Sequence, residues 1–280
     1  MQRPHPLVLA ALILTACEGQ GSSAEAAGAP AGAASPAATA TASAGDGSAE
    51  ATATADTDGA RDVDVENDLY LFEYSWPGAA GRIPGLRDEL DKRMSDARTE
   101  LAARAEEERK YAAENDFPYR KHSSGTAWQV VTDMPGWLSL SAEGYTFSGG
   151  AHGMTFFDTL LWDKEANRLR EPVSLFSSPV DLRETIRPAF CDLLDKERAK
   201  RRGGVVDRGS GTFNECIDPV DSTVILGSSN GRTFDRIGVL VGPYAAGPYA
   251  EGTYEITLPV TRDIIDAVKP AYRDSFSIRR

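Results

Sequence analysis

The hydrophobic positions of the chain follow first a period of two residues and then a period of three to four. In the run DLYLFEYSWP, aromatic residues alternate with other residues, which is typical of a half-buried strand. One face of that strand carries Tyr70, Phe72, Tyr74 and Trp76. From Pro84, a residue suited to a first helical turn, apolar residues recur at helical spacing as far as about Glu114. They are Leu86, Leu90, Met94, Ala97 and Leu101. The pattern therefore predicts a strand followed by a long amphipathic helix.

The rest of the chain alternates between strand and helix patterns. Between residues 125 and 162, β-rich runs are separated by Pro-Gly, Glu-Gly and Gly-Gly, which predicts an antiparallel meander. A second helix is predicted after Ser178, whose hydroxyl is suited to cap it, and Pro188 should kink or split this helix. Further strands and a short helix at residues 262–268 follow. This order predicts an α+β fold, with antiparallel sheets on which a long amphipathic helix and a kinked second helix pack.

The first sixteen residues have the pattern of a signal peptide that is removed from the mature protein. An apolar core of eight residues, from Leu7 to Leu14, is too short to span a bilayer. The following LTAC resembles the lipobox of bacterial lipoproteins, which implies lipidation of Cys17; an ordinary secreted protein is the alternative. In such lipoproteins an aspartate directly after the cysteine commonly retains the protein at the inner membrane. Because residue 18 is a glutamate, the resemblance implies sorting to the outer membrane, facing the periplasm. We therefore expect a lipid-anchored protein of the bacterial cell envelope.

Residues 17–60 consist almost entirely of small residues and Pro, with six acids and no base or aromatic ring. Such a composition predicts a disordered tether. The whole chain carries a net charge of −12, and removing Arg3 with the signal and the six acids with the tether leaves −7 on the remainder. This sign argues against nucleic acid and against an anionic membrane surface as partners, so that the lipid anchor is the only expected membrane contact.

The two cysteines that remain after Cys17 are Cys191 and Cys216. Because disulfides persist in an oxidising envelope, we expect these two to be bonded, with two buried free thiols as the alternative. The chain contains no CxxC or HxxxH spacing, so we expect neither a metal nor another cofactor.

The segment SGGAHG lies between two aromatic, strand-like runs. Gly149 and Gly150 permit a tight turn from which His152 projects. Catalysis would require a nucleophile and an orienting acid beside this ring, and no such set is evident. We expect His152 to be chiefly a turn residue whose ring is hydrogen-bonded to the backbone, with ligand binding as the alternative.

The segments YTFSGGAHGMTFFDTLLWD, EPVSLF and VLVGPYAAGPYAEGTYEITLP resemble the paired domains of unknown function 4163 and 3298. These domains form the ectodomain of RsiV-type anti-sigma factors and the front half of PdaC-type peptidoglycan deacetylases. The resemblance assigns residues 61–165 to the PdaC N-terminal-like region and residues 166–280 to the RsiV C-terminal-like region, as one composite unit or two domains. The resemblance implies a module that contacts cell-wall material or proteins that act on the cell wall. The segment RTFDRIG differs from the corresponding motif of the deacetylases, so we infer no catalytic residue from this resemblance.

Three functions are compatible with these observations. The first is a non-catalytic binding or sensing module for a cationic protein such as a lysozyme, or for peptidoglycan. Tyr244 and Tyr249, in a turn around Gly247, are candidate contact residues for it. The second is an enzyme acting on peptidoglycan or glycans, for which Glu251 and Glu255 are possible paired carboxylates. The third is a purely structural lipoprotein.

Overall fold

The computed structural model describes residues 50–55 and 58–279, and these contain ten strands in two sheets with four α-helices. The strands are β1 Glu50–Ala55, β2 Arg61–Glu66, β3 Tyr70–Trp76, β4 His122–Asp133, β5 Trp137–Phe147, β6 Met154–Asp163, β7 Arg168–Arg170, β8 Thr223–Gly227, β9 Arg236–Val241 and β10 Tyr254–Pro259. The α-helices are α1 Gly78–Gly81, α2 Pro84–Glu114, α3 Pro179–Arg202 and α4 Arg262–Ala267. Short 3₁₀ turns lie at Pro172–Leu175, Pro219–Asp221, Tyr249–Glu251 and Pro270–Ser275.

The predicted signal peptide, Cys17 and most of the predicted tether lie outside the described residues. Strand β1 falls within the stretch that composition assigned to the tether, and it pairs antiparallel with β2. A strand of small residues can be held by backbone hydrogen bonds to a neighbouring strand, which composition alone does not reveal. The prediction of a disordered tether is therefore wrong for residues 50–55, which form a strand.

The larger sheet has seven strands in the order β1 to β7, and it confirms the predicted meander over β4, β5 and β6. All its pairings are antiparallel except the one between β3 and β4. That pair is parallel because α2 carries the chain back to the same end of the sheet between the two strands. The fold is therefore α+β as predicted, with one parallel pair that the sequence did not indicate.

Helix α2 packs on one face of the larger sheet, where the alternating aromatic residues of β3 are buried. Leu86, Leu90 and Leu101 face this core, as their spacing predicted. The second core lies among α3, α4 and the three-stranded sheet β8–β9–β10. Trp137 and Leu161 of the larger sheet also belong to this second core. Residues 47–280 form one compact unit. The opposite face of the larger sheet is thus covered in part by the second half of the chain.

Helix α3 begins as the sequence predicted and continues without a break. Ser178 Oγ accepts a hydrogen bond from the backbone N–H of Asp181 at 3.0 Å and caps the helix. Pro188 lies inside the helix on its exposed side and does not split it. The helix ends at Gly203, which adopts a left-handed φ of 72°.

No helix in the described part of the chain is both long and apolar enough to cross a membrane.

His122, at the start of β4, gives a prediction about stability and pH. Its side chain is only 3% exposed, and burial lowers its pKa below the ordinary value; the charge of Glu108 opposes this shift, and the charge of Arg104 adds to it. In the unfolded chain this histidine takes up a proton near pH 6.5, whereas the folded protein resists doing so. The stabilisation is therefore complete above about pH 6.5 and is lost as the pH falls toward the lower folded pKa, by at most about 1.4 kcal/mol per pH unit.

Urea unfolding at pH 7.5 and pH 5 would measure this effect. We expect the unfolding free energy of His122→Leu to fall less between pH 7.5 and pH 5 than that of the wild type. An unchanged slope in the variant would show that the histidine is not the group responsible.

Candidate functional site

The SGGAHG segment forms the turn between β5 and β6. Gly149 adopts a left-handed φ of 88°, whereas Gly150 does not have a positive φ, so of these two positions only Gly149 requires glycine for its backbone conformation. Arg120 donates hydrogen bonds to the carbonyl oxygens of Gly149 and Gly150 at 3.4 and 3.2 Å. The His152 Nδ1 lies 2.9 Å from the carbonyl oxygen of Gly153, which is the predicted bond between ring and backbone. The ring itself is exposed, so it remains accessible to a ligand.

Three side chains that the sequence suggested separately are in contact in the structure. The ring of His152 stacks on Tyr249, with centroids 3.8 Å apart and planes inclined by 20°. Tyr244 lies beside them, and its hydroxyl is 3.3 Å from His152 Nε2. The centroids of the two tyrosine rings are 5.6 Å apart. We call His152, Tyr244 and Tyr249 the aromatic cluster.

Tyr244 is held in an unusual backbone conformation. Its φ is 65°, a left-handed value that is uncommon for a bulky residue, and its side chain is 46% exposed. Such a conformation costs of order 1–3 kcal/mol and persists only where the surroundings enforce it. Exposure means that burial of the ring does not offset this cost.

Arginines near the end of α3 hold the loop that carries the two tyrosines. Arg198 is fully buried and donates to the carbonyl oxygens of Ala246 at 2.9 Å and Asn214 at 3.3 Å. Arg202 binds both carboxylate oxygens of Glu251, at 2.8 and 3.0 Å, and the side chain of Asn214 at 2.6 Å. The two arginines therefore fix the loop from residue 242 to residue 253 against the helix.

The carboxylate of Glu251 helps to hold this loop against α3. Burial by itself would raise the pKa of Glu251, but hydrogen bonds from Arg202 and Tyr254 outweigh burial and lower its pKa below the ordinary value. A side-chain carbon at Gly247 would collide with Glu251 Oε2, which explains a glycine there. Glu255 is exposed on the strand face opposite to the buried Tyr254. The two candidate carboxylates of the enzyme hypothesis, Glu251 and Glu255, are thus not brought together as a catalytic pair.

The face of the larger sheet opposite to α2 carries a second feature, which the sequence pattern did not reveal. Four carboxylates, from Asp62, Asp64, Glu73 and Glu143, line an open groove of about 730 Å³ on the face opposite to α2. Among the described residues that line this groove, none is basic. We call these four residues the acidic face.

The pairing of the strands explains the shape of the groove. Asp64 lies directly opposite Glu73, which is followed across β4 and β5 by Gly125 and Tyr145. In the neighbouring row, Ala127 lies opposite Glu143. The small residues of β4 therefore form a floor between acidic β2 and β3 on one side and β5 on the other.

Tyr145 connects the acidic face to the aromatic cluster. Its side chain is 43% exposed and lines the groove. Its ring also covers Gly153, where an added Cβ would clash with the Tyr145 ring. Since Gly153 directly follows His152, the two features form one continuous surface.

A sequence signal for the acidic face did exist. Asp62 and Asp64 alternate with Val63 and Val65 in the segment DVDVE, which is the period of a half-buried strand. The assembly with Glu73 and Glu143 could not be read from this segment, because it depends on strand pairing. Within the described residues, no group of three or more His, Cys, Asp or Glu side chains is arranged to hold a metal ion.

Comparisons with known proteins agree with the resemblance stated from the sequence. Residues 63–155 match the family model described as deacetylase PdaC. A DUF3298 family protein from Pseudomonas aeruginosa PAO1 is 16% identical, with 84% of this chain and 99% of that chain covered and a TM-score of 0.48. A member of the same family from Bacteroides fragilis NCTC 9343 is 15% identical, with coverages of 79% and 94% and a TM-score of 0.44. The search of curated proteins found no match.

The family match confirms the resemblance to PdaC over residues 63–155, while the assignment to family 4163 is not shown by it. The part of the chain that contains most of the acidic face and the His152 turn is therefore similar to the family of the deacetylase PdaC.

Proposed function

We propose that this protein is a non-catalytic binding or sensing module of the cell envelope that takes a cationic protein, such as a lysozyme, on its acidic face. The observation that carries the proposal is the open face of the larger sheet, where four carboxylates line a groove without a basic residue among its described lining. A concentration of one sign of charge raises the rate of encounter with partners of the opposite sign.

The shape of the groove favours a macromolecular partner over a small ligand. Small-molecule sites are usually concave, enclosed and lined mainly by apolar side chains. Here the groove is open, and its walls are exposed carboxylates on strands β2, β3 and β5. Lysine and arginine side chains of a docking protein can reach such carboxylates without entering an enclosed cavity, and exposed Tyr145 offers an aromatic contact beside them.

The arrangement of the carboxylates also has a cost in the free protein. Asp64 and Glu73 lie directly opposite each other on antiparallel strands, and like charges in this position destabilise a sheet. A bound cationic partner would supply the counter-charge that the groove itself lacks. The cost therefore supports a role of this face in binding.

The proposal includes the anchor expected from the sequence. Lipidation of Cys17 and the tether would hold the module at the outer membrane, facing the periplasm. The three acids of the predicted tether that precede β1, Glu18, Glu25 and Asp46, have the same sign as the acidic face, so they would add to the attraction of a cationic partner at low salt.

Surface plasmon resonance with the full-length protein and hen egg-white lysozyme tests the proposal. We expect binding in 50 mM salt and a markedly slower association in 300 mM salt, where the screening length is below about 10 Å. Succinylated lysozyme, in which the lysine charges are reversed, is the matched control and should not bind. Absence of lysozyme binding at 50 mM salt, or turnover of peptidoglycan by the purified metal-free protein, would overturn the proposal.

A further inference from the structure

We propose that the aromatic cluster is a separate subsite for one pyranose ring of a glycan. The inference rests on His152, Tyr244 and Tyr249 and on the loop that holds them. It does not depend on a cationic partner at the acidic face, and it can fail or succeed independently of that proposal.

The three rings contact one another and form an aromatic shelf, of which His152 and Tyr244 are exposed. The hydroxyl of Tyr244 meets the edge of His152 at 3.3 Å, and the planes of the two rings are inclined by only 31°. The two rings are therefore in contact through these polar atoms. Tyr249 stacks on one face of His152, and its centroid lies 5.6 Å from that of Tyr244. His152 and Tyr244 are both exposed, so the surface is open to a ligand.

The protein maintains this shelf at an energetic cost. Tyr244 keeps a left-handed φ of 65° while its ring remains 46% exposed. Two buried or half-buried arginines of α3, Arg198 and Arg202, fix the loop on either side of the turn through Ala246 and Glu251. Strained residues that are held rigidly and exposed are typical of sites that are organised in advance for a ligand.

The chemistry of the shelf matches one face of a sugar. Each ring offers an apolar face with a polar edge, namely the two tyrosine hydroxyls and His152 Nε2. A pyranose ring has the complementary pattern, with C–H groups on one face and hydroxyl groups around its rim. The face can pack on the aromatic rings while the rim exchanges hydrogen bonds with their polar edges. None of the three side chains is an acid that would select a charged substituent, although the nearby acidic face disfavours anionic sugars.

Calorimetric titration of the full-length protein with tetra-N-acetylchitotetraose, a neutral oligosaccharide, tests this inference. We expect saturable binding, and in NMR spectra the ring protons of His152 and Tyr244 should shift in proportion to occupancy. The variant Tyr244→Asn should weaken binding at least tenfold. Its unfolding midpoint should stay the same or rise, because asparagine tolerates a left-handed backbone. Loss of binding without loss of stability would separate a ligand-binding role from a structural one.

Two control variants sharpen the test. Tyr111→Ala removes an exposed tyrosine that contacts Phe117 outside the cluster, and it should bind the oligosaccharide as the wild type does. Asp64→Asn combined with Glu73→Gln should also retain oligosaccharide binding, because it alters only the acidic face. The inference is overturned if the wild type shows no saturation up to about 10 mM ligand, a ΔG° weaker than about −3 kcal/mol. It is equally overturned if Tyr111→Ala and Tyr244→Asn lose binding to the same extent.

Discussion

Replacement of both Cys191 and Cys216 by alanine should lower the free energy of unfolding by roughly 3 kcal/mol. The two cysteines form the disulfide that the sequence predicted, with a sequence separation of 25 residues and Cα atoms 5.5 Å apart. Closing a loop of this length reduces the conformational entropy of the unfolded chain, which is the main source of the expected effect. Urea unfolding of the wild type and the double variant under identical conditions measures the difference.

The same replacement should loosen the loop that carries the aromatic cluster. Asn214 lies two residues before Cys216, and it accepts hydrogen bonds from both Arg198 and Arg202. If the disulfide is absent, this segment is free to leave the arginines, which also hold Ala246 and Glu251. Hydrogen exchange of backbone amides in residues 242–253 should therefore become faster in the double variant.

Reductant provides the control for the disulfide prediction. Dithiothreitol should destabilise the wild type to the level of the double variant and should have no effect on the variant itself. A double variant within about 1 kcal/mol of the oxidised wild type would contradict the prediction, since the loop-entropy model gives several times that difference.

Neutralisation of two carboxylates on the acidic face, Asp64→Asn with Glu73→Gln, should weaken lysozyme binding about tenfold in 50 mM salt. This figure follows from two exposed charge contacts at about 0.7 kcal/mol each. Most of the loss should appear in the association rate, because exposed charges act mainly on encounter. The same variant should be more stable than the wild type by a few tenths of a kcal/mol up to about 1 kcal/mol, because it removes a like-charge pair across β2 and β3.

The matched control is Glu106→Gln with Glu107→Gln on the exposed side of α2. It changes the net charge by the same amount but leaves the acidic face intact, so it should reduce binding far less. Raising the salt concentration to 300 mM should bring the wild type and the acidic-face variant closer together. Equal losses in the two double variants would show that overall charge, and not the acidic face, governs the association.

Much of the local structure could be predicted because it depends on local patterns. The bounds of α2, the cap at Ser178 and the buried face of β3 all appeared as predicted. Periodicity and capping depend on residues within one or two turns of each other, so one sequence is enough to reveal them. Strand β1 and the parallel pairing of β3 with β4 were missed, because each depends on which strands meet in space.

The candidate site was predictable only in its separate parts. His152, Tyr244 and Tyr249 were chosen from two turns about 90 residues apart in the sequence, and no local pattern indicated that their rings touch. The left-handed conformation of Tyr244 was likewise invisible, since a tyrosine does not favour it.

The sequence by itself determined the periodic elements, the pair of cysteines available for a disulfide and the acidic character of the chain, because each is a property of neighbouring residues or of composition. Only the tertiary structure decided which surfaces those residues form. Strand pairing places Asp64 opposite Glu73 and aligns them with Gly125 and Tyr145, and the arginines of α3 bring the loop of Tyr244 to the turn of His152. Such surfaces are assembled by contacts between residues distant in the chain, and the free energy of those contacts depends on the whole fold.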